Sequence, residues 1–207
     1  MLYAQSETSE ATERIQGFKR QLQQTWQQIK HELEGHGYSY SLPKDAFIAR
    51  LCDNLSGHDQ LIGLSVASAI RCVVKTVEQI PSAKSKITSK ISSEMRLEPR
   101  QILLTAVLLK IVLDRAFRPT VRNATGTISC TFDCEDNQCL LTVHDDGTGL
   151  RKILAEHELP LVVGFAAQLD GTLKWHLFEG GTCLEVSFAA VRHQQIVEFE
   201  EVFSSAH

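Results

Sequence analysis

The sequence has no long run of apolar residues and contains little glycine or proline. Its longest apolar stretches, Ile102–Leu109 and Leu159–Ala167, reach about half of the roughly 18 residues that a membrane-spanning helix needs. Gly and Pro number only 12 and 5 among 207 residues, so a long disordered linker is not expected. The first residues show neither the basic start nor the apolar core of a secretory signal. We therefore expect a cytoplasmic globular protein of one to two domains, with no membrane partner.

The chain also lacks a cluster of positive charge. Its net charge is −4 at pH 7, and the part after residue 97 is acidic whereas the part before it is slightly basic. Nucleic-acid binding needs clustered Lys and Arg that displace counterions, so we expect no nucleic-acid partner. The change of sign near residue 97 is a first indication of two structural units.

Six cysteines are present, but no two of them form a CxxC pair. Cys130, Cys134 and Cys139 lie closest together, and their spacing matches no common zinc site. We interpret them as reduced cysteines on a β-hairpin, and we expect no metal site.

The N-terminal part of the chain has the pattern of amphipathic helices. In residues 8–34, apolar side chains recur every three or four positions, as they do on one face of a helix. Two further helices are predicted over Lys44–Leu55 and His58–Ile80. The apolar stripe of the first helix consists of Ile15, Phe18, Leu22, Trp26, Ile29 and Leu33. Because one helical hairpin cannot bury this much apolar surface, we expect a homodimer.

After residue 85 the pattern changes to a mixture of strands and helices. Alternation predicts a strand over Lys86–Glu94, with a helix as the competing interpretation, and two β-hairpins at 127–144 and 172–189. Apolar helices are predicted over Arg100–Phe117 and Leu159–Leu169. The predicted fold class is α+β, in which an N-terminal helical unit precedes a mixed sheet with helices on one face.

The most specific motif is Asp145-Asp146-Gly147-Thr148-Gly149, which directly follows a predicted strand. Its two glycines allow a sharp turn and a close approach to a ligand. A carboxylate at the end of a strand can accept a hydrogen bond from the exocyclic amine of a purine. On its own, the motif is more typical of a plain tight turn.

Together with the segments around it, this motif resembles the ATP-binding domain of bacterial sensor histidine kinases. The motif is followed by a helix that ends in QLDGTL (168–173) and by GGT (180–182) before the last strand. The pair Ala116-Phe117 ends the long helix where that family carries its asparagine-rich helix. The resemblance covers about residues 85–190.

The resemblance implies a degenerate, Bergerat-type ATPase domain at residues 83–207. Residues 1–82 would then form a domain like the dimerisation and phosphotransfer domain of the same family. In the family pattern, Asp145 corresponds to the residue that reads the adenine amino group. Gly147 and Gly149 correspond to the glycines of the same box, and Thr182 to the threonine beside the adenine. These residues would form a vestigial nucleotide pocket.

The chain departs from the family where metal and phosphates are bound. The two asparagines of the long helix are replaced by Ala106 and Ile111, whose side chains cannot coordinate Mg²⁺. Glu156 and Glu158 replace the phosphate-binding glycines, and carboxylates repel a triphosphate. We therefore expect no ATP cofactor and no metal, with weak nucleotide binding at most.

The resemblance further implies a phosphoacceptor histidine on the helical domain. His58 is our candidate, because it begins a predicted helix and Asp59 follows it. A carboxylate beside an imidazole can accept its hydrogen bond and raise its basicity for attack on phosphorus. His31 and Glu32 form the same pair at the end of the first helix. A solvent-exposed or helix-capping histidine is the competing interpretation for both.

These expectations favour a two-component signalling protein: a dimeric histidine phosphotransferase or pseudokinase. Its partner would be the receiver domain of a response regulator or hybrid kinase, with which it would exchange phosphoryl groups. The alternative is a non-catalytic interaction module that binds a kinase, a response regulator or a sigma factor. A third interpretation is an ATP-dependent histidine kinase with an unconventional metal site.

Overall fold

The computed structural model describes most of the chain, namely residues 2–35, 43, 45–56, 64–79, 86–92, 95–117, 126–147, 149–151 and 159–191. In chain order these residues form α1 (Leu2–Gly35), α2 (Asp45–Ser56), β1 (Leu64–Ser65), α3 (Val66–Glu78), β2 (Lys86–Ile91), β3 (Arg96–Leu97), α4 (Pro99–Ala116), β4 (Thr127–Glu135), β5 (Gln138–Asp145), α5 (Leu159–Gln168), β6 (Thr172–Phe178) and β7 (Gly181–Ala189).

The first four helices pack in a ring. α1 contacts α2 and α4, while α3 contacts the other sides of α2 and α4. Lys30 pairs with Asp45 at 3.6 Å and Lys19 pairs with Asp53, so α1 and α2 run antiparallel. The long helix α4 of the α/β part thus completes the helical layer that α1, α2 and α3 begin.

This ring buries the apolar stripe of α1 inside a single chain. Leu22, Trp26, Ile29 and Leu33 are at most 1% exposed, whereas Ile15 stays 42% exposed. Our expectation that the stripe faces a second copy of the chain is wrong for these four residues. The expectation considered only the helical hairpin, whereas α4 of the same chain also packs against α1. The homodimer stays a prediction, but it no longer has this support.

The third predicted helix begins later than expected. The sequence predicts a helix over His58–Ile80, but α3 begins at Val66, after the short strand β1. β1 pairs with β3, and the Val66 amide donates to the Met95 carbonyl at 3.3 Å. Pairing partners 31 and 33 residues away in the sequence therefore hold this segment extended, which local periodicity cannot reveal. His58 and Asp59 lie outside the described residues.

The α/β part contains a five-stranded mixed sheet in the order β2-β4-β5-β7-β6. β2 pairs with β4 in parallel, and the other neighbours are antiparallel. In β4, β5 and β7 every second side chain is buried, so one face carries the core and the other is open. The predicted α+β class is confirmed, as is the choice of strand over helix at 86–91. The domain boundary between residues 82 and 83 stays a prediction.

Helix α4 belongs to the helical ring and also contacts the α/β part, through α5 and through Ala189 at the end of β7. Every side chain from Gln101 to Leu109 is buried, which fits a helix that packs on opposite sides. Pro99 stands in its first turn, where a missing amide hydrogen is tolerated. Among the helices in the described ranges, none combines the length and the apolar character that crossing a bilayer requires.

The cysteines of the first hairpin differ from our expectation. Cys134 and Cys139 form a disulfide, since the register of β4 and β5 places them opposite each other with Cα atoms 4.1 Å apart. The prediction of reduced thiols is therefore wrong for this pair, and correct for Cys130, which is free and buried. Sequence spacing alone could not reveal the pairing, because it depends on where the hairpin turns. The turn consists of Asp136 and Asn137, with φ of 48° and 64°.

Candidate nucleotide site

Asp145 ends β5, the middle strand of the sheet, and its side chain is held by the turn that follows. The residue is only 3% exposed. Its Oδ1 accepts a hydrogen bond from the Gly147 amide at 2.8 Å, and its Oδ2 accepts one from the Leu150 amide at 2.8 Å. Both carboxylate oxygens therefore already bind backbone N–H groups of the chain itself.

Two glycines allow backbone segments to meet around Asp145. At Gly181, with φ of 150°, a Cβ would lie 2.1 Å from the Asp145 carbonyl oxygen. At Gly149, a Cβ would lie 2.5 Å from the Ala116 carbonyl oxygen at the end of α4. The turn after β5, the end of α4 and the start of β7 are thus packed backbone against backbone, which only glycine permits.

Asp146 performs a second structural role that the sequence analysis did not assign. Its Oδ1 accepts a hydrogen bond from the Thr127 amide at 2.6 Å, and its own amide donates to the Thr127 carbonyl at 3.3 Å. Asp145 therefore holds the turn through the backbone amides that follow it, and Asp146 connects the turn to the start of β4. Two consecutive aspartates at the end of a strand are the sequence signal that could have indicated the hydrogen bond between Asp146 and Thr127.

Thr182 lies directly opposite Asp145 on the neighbouring strand β7. Its side chain is fully buried, and its Oγ1 has no hydrogen-bond partner among the described residues. Leu177 of β6 is the next residue in this cross-strand row and is 58% exposed. The structure thus brings Asp145 and Thr182 together with the glycines of the motif, as the resemblance implied.

The positions that carry metal ligands in the family pattern lie in the core. Ala106 is fully buried and Ile111 is 6% exposed. One turn beyond, Asp114 forms an ion pair with Lys110, whose ammonium also lies 5.4 Å from the centre of the Phe47 ring. The other carboxylate oxygen of Asp114, Oδ1, is buried and has no hydrogen-bond partner among the described residues, whereas Ala106 and Ile111 carry no oxygen that could bind a hard cation. Glu156 and Glu158 lie outside the described residues.

His31 is exposed near the C-terminal end of α1. The neighbouring Glu32 binds Arg100 of α4 at 2.6 Å, and Arg100 also donates to Gln168 of α5 at 3.3 Å. Because it binds Arg100, the Glu32 carboxylate is directed toward α4 rather than toward the imidazole of His31. His31 therefore does not form the histidine–acid pair that the sequence suggests.

His144 precedes Asp145 but lies on the open face of the sheet, because successive strand residues alternate between faces. Its ring stacks on Phe178, with ring centres 5.0 Å apart and planes 19° apart. It therefore does not border the Asp145 side of the sheet.

Taken together, these contacts describe a compact turn held by Asp145 and Asp146, next to a helix α4 that has aliphatic side chains at the two metal positions of the family pattern. No family model matches the chain, and no curated protein matches it. Solved structures do match it, and they show the fold of a histidine kinase core: a helical unit followed by an ATPase-type α/β unit.

One similar structure is the blue-light activated histidine kinase of Erythrobacter litoralis EL346, with 16% identity and a TM-score of 0.65. The match covers 83% of this chain and 59% of that kinase. The isolated histidine kinase domain of the same protein matches with 14% identity and a TM-score of 0.58, covering 86% of this chain and 94% of the domain. The chain thus spans about three fifths of the longer kinase and nearly all of the kinase domain.

Proposed function

We propose that this chain is a two-component signalling protein that acts on receiver domains without using ATP, as a histidine phosphotransferase or pseudokinase. One observation carries the proposal: the fold is that of a histidine kinase core, yet the metal positions on α4 are the buried aliphatic residues Ala106 and Ile111. A kinase needs Mg²⁺ to neutralise the phosphates that it transfers. A protein with this architecture and aliphatic side chains at these two positions is suited to handle phosphoryl groups that another protein has activated.

The state of Asp145 supports the same proposal. Each of its two carboxylate oxygens accepts a backbone hydrogen bond, so Asp145 stabilises the turn whether or not a purine is bound. Carboxylate oxygens have further lone pairs, and weak binding of a purine base remains compatible with this geometry. Tight binding would need contacts to the phosphates as well, and Ala106 and Ile111 provide none.

Phosphotransfer would proceed through His58. An imidazole nitrogen with a free lone pair attacks the phosphorus of a receiver's aspartyl phosphate, an N–P bond forms, and the P–O bond to the aspartate breaks. The aspartate leaves as a carboxylate, and the reverse reaction passes the group to another receiver. In the described parts of α1, α2 and α3, the single histidine is His31, and Glu32 binds Arg100 instead of assisting it. This favours His58, with Asp59 beside it, as the acceptor.

The test uses two labelled donors on the full chain. Radiolabelled ATP with Mg²⁺ is not expected to label the protein, whereas receiver domains charged with labelled acetyl phosphate are expected to label it. His58→Gln should abolish this labelling because it removes the nucleophilic nitrogen, and His31→Gln is the matched control that should retain it. Labelling lost only in the His31 variant would move the acceptor to His31. Labelling by ATP would identify an active kinase and overturn the proposal.

The second candidate is a non-catalytic interaction module that binds a kinase, a response regulator or a sigma factor. The closed ring of α1, α2, α3 and α4 favours it, because such a ring is a rigid helical surface that needs no chemistry to bind a partner. This candidate predicts that receivers bind without labelling the chain, and that both histidine variants bind them as well as the unmodified protein does.

A further inference from the structure

The disulfide Cys134–Cys139 lies at the exposed end of the β4–β5 hairpin. The residues next to it, Asp133 and the segment 135–138, are all exposed. Cys134 is half-buried, whereas Cys139 is fully buried, so access to the disulfide is from the Cys134 side. The bond connects residues five positions apart, whose loop is already closed by the pairing of Glu135 with Gln138. It therefore joins no distant elements, unlike the disulfides that hold small secreted domains together.

The remaining cysteines are of a different kind. Cys52, Cys72, Cys130 and Cys183 are free thiols. Burial raises the pKa of Cys52 to about 11 and that of Cys130 to about 12. Thiol exchange requires an accessible sulfur and a thiolate, so these buried thiols are poorly suited to it. Among the described cysteines, the disulfide pair and the partly exposed thiol of Cys183 are therefore the candidates for thiol exchange, and the hairpin end carries the one disulfide among them.

The hairpin end holds the segment that follows the last strand. The Ala190 amide donates to the Asn137 carbonyl in the hairpin turn at 2.6 Å. On the other side, the Gln101 side chain of α4 binds the same segment twice: its Nε2 donates to the Ala189 carbonyl and its Oε1 accepts from the Val191 amide, both at 2.8 Å. Residues 189–191 are therefore held between the hairpin end and the first turn of α4.

The same turn of α4 reaches the helical ring. Arg100, next to Gln101, forms the ion pair with Glu32 of α1. Hydrogen bonds and one ion pair thus connect the hairpin end, residues 189–191, the start of α4 and α1. The hairpin turn itself is built from two non-glycine residues with positive φ, Asp136 and Asn137, and the disulfide lies one pair of residues away from this turn.

We propose that Cys134 and Cys139 form a thiol–disulfide switch that sets how firmly residues 189–191 are held on α4. The reductant is a dithiol, either a protein or a small molecule. Its thiolate attacks Sγ of Cys134, the more exposed sulfur, and forms a mixed disulfide while Cys139 leaves as a thiolate and takes up a proton. The second thiol of the reductant then displaces Cys134, so two electrons pass to the protein and the reductant becomes a disulfide.

The test is residue-resolved amide hydrogen exchange on the full chain, air-oxidised or reduced with dithiothreitol. Alkylation of the denatured samples reports the oxidation state of the pair. Reduction is expected to accelerate exchange at Ala190 and Val191 several-fold. Exchange at Val143, in the middle of the sheet, should remain unchanged, which separates a local effect from global unfolding.

Two variants make the result specific. Cys134→Ser combined with Cys139→Ser should exchange at Ala190 and Val191 like the reduced protein in both conditions. Cys183→Ser, the matched control for a partly exposed thiol elsewhere in the sheet, should keep the response. Equal exchange at Ala190 and Val191 in both redox states would overturn the proposal, as would a pair that stays reduced in air.

Discussion

The turn after β5 and the C-terminal half of α4 meet where Gly149 packs on Ala116, yet the two regions have kept very different parts of the kinase pattern. The turn keeps its aspartate and glycines, and all of them have folding roles of their own. The helix has aliphatic residues at the metal positions, and these lie in the core. The difference teaches that the residues that match the motif here are also ones that the fold uses, so the motif alone does not establish ligand binding.

Among the variants considered, Gly181→Ala should reduce the stability of the protein the most. The new Cβ would meet the Asp145 carbonyl oxygen at 2.1 Å, and φ of 150° is unfavourable for alanine. We expect a loss of at least about 3 kcal/mol in the free energy of unfolding, measured by urea denaturation. Gly180→Ala is the matched control, because its Cβ would meet only the Phe178 ring at 3.8 Å and should change little. Equal effects of the two variants would contradict the packing described here.

Asp145→Ala tests whether the aspartate is structural. Removing the carboxylate leaves the Gly147 and Leu150 amides without their acceptor, which should cost about 2–4 kcal/mol of unfolding free energy. Asp145→Asn keeps one acceptor oxygen and should cost clearly less. If Asp145 serves only to read a purine, neither variant will change stability in the absence of nucleotide.

Restoring asparagine on α4 tests the other region. Ile111→Asn places an amide in the core and should destabilise the protein by about 2–3 kcal/mol, whereas Ile111→Val should cost about 1 kcal/mol. Isothermal titration should detect no tight, Mg²⁺-dependent ATP binding to the unmodified protein or to the Asn variant. A low-micromolar, Mg²⁺-dependent affinity of the unmodified protein would show that metal and phosphates bind by other groups.

Thr182→Val should have the smallest effect. The Thr182 Oγ1 is buried without a partner among the described residues, so replacing the hydroxyl by a methyl group of similar size should change stability by less than about 1 kcal/mol. A slight stabilisation would fit an unpaired hydroxyl. A loss larger than about 1 kcal/mol would mean that the hydroxyl has a partner, such as an ordered water between Thr182 and Asp145.

Much of the fold follows from local patterns in the sequence. Alternation predicts both hairpins, three-to-four periodicity predicts α1, an apolar run predicts α5, and Pro99 marks the start of α4. These elements depend on residues close together in sequence, so local patterns are sufficient for them. The motif at Asp145 could be found as a string of consecutive residues, whereas Thr182 is assigned only through the family resemblance. The register that places Thr182 opposite Asp145 is known only from the structure.

The tertiary structure determined which segment each predicted element packs against or pairs with. Only the contact between α1 and α4 shows that Leu22 and Trp26 are buried within one chain, and only the pairing of β1 with β3 starts α3 at Val66. The backbone amides that bind Asp145 become visible only once the turn is folded. The physical reason is the same in each case. A sequence pattern specifies which surface must be buried or hydrogen-bonded, but the segment that packs against it or bonds to it is distant in sequence and comes close only in the folded chain.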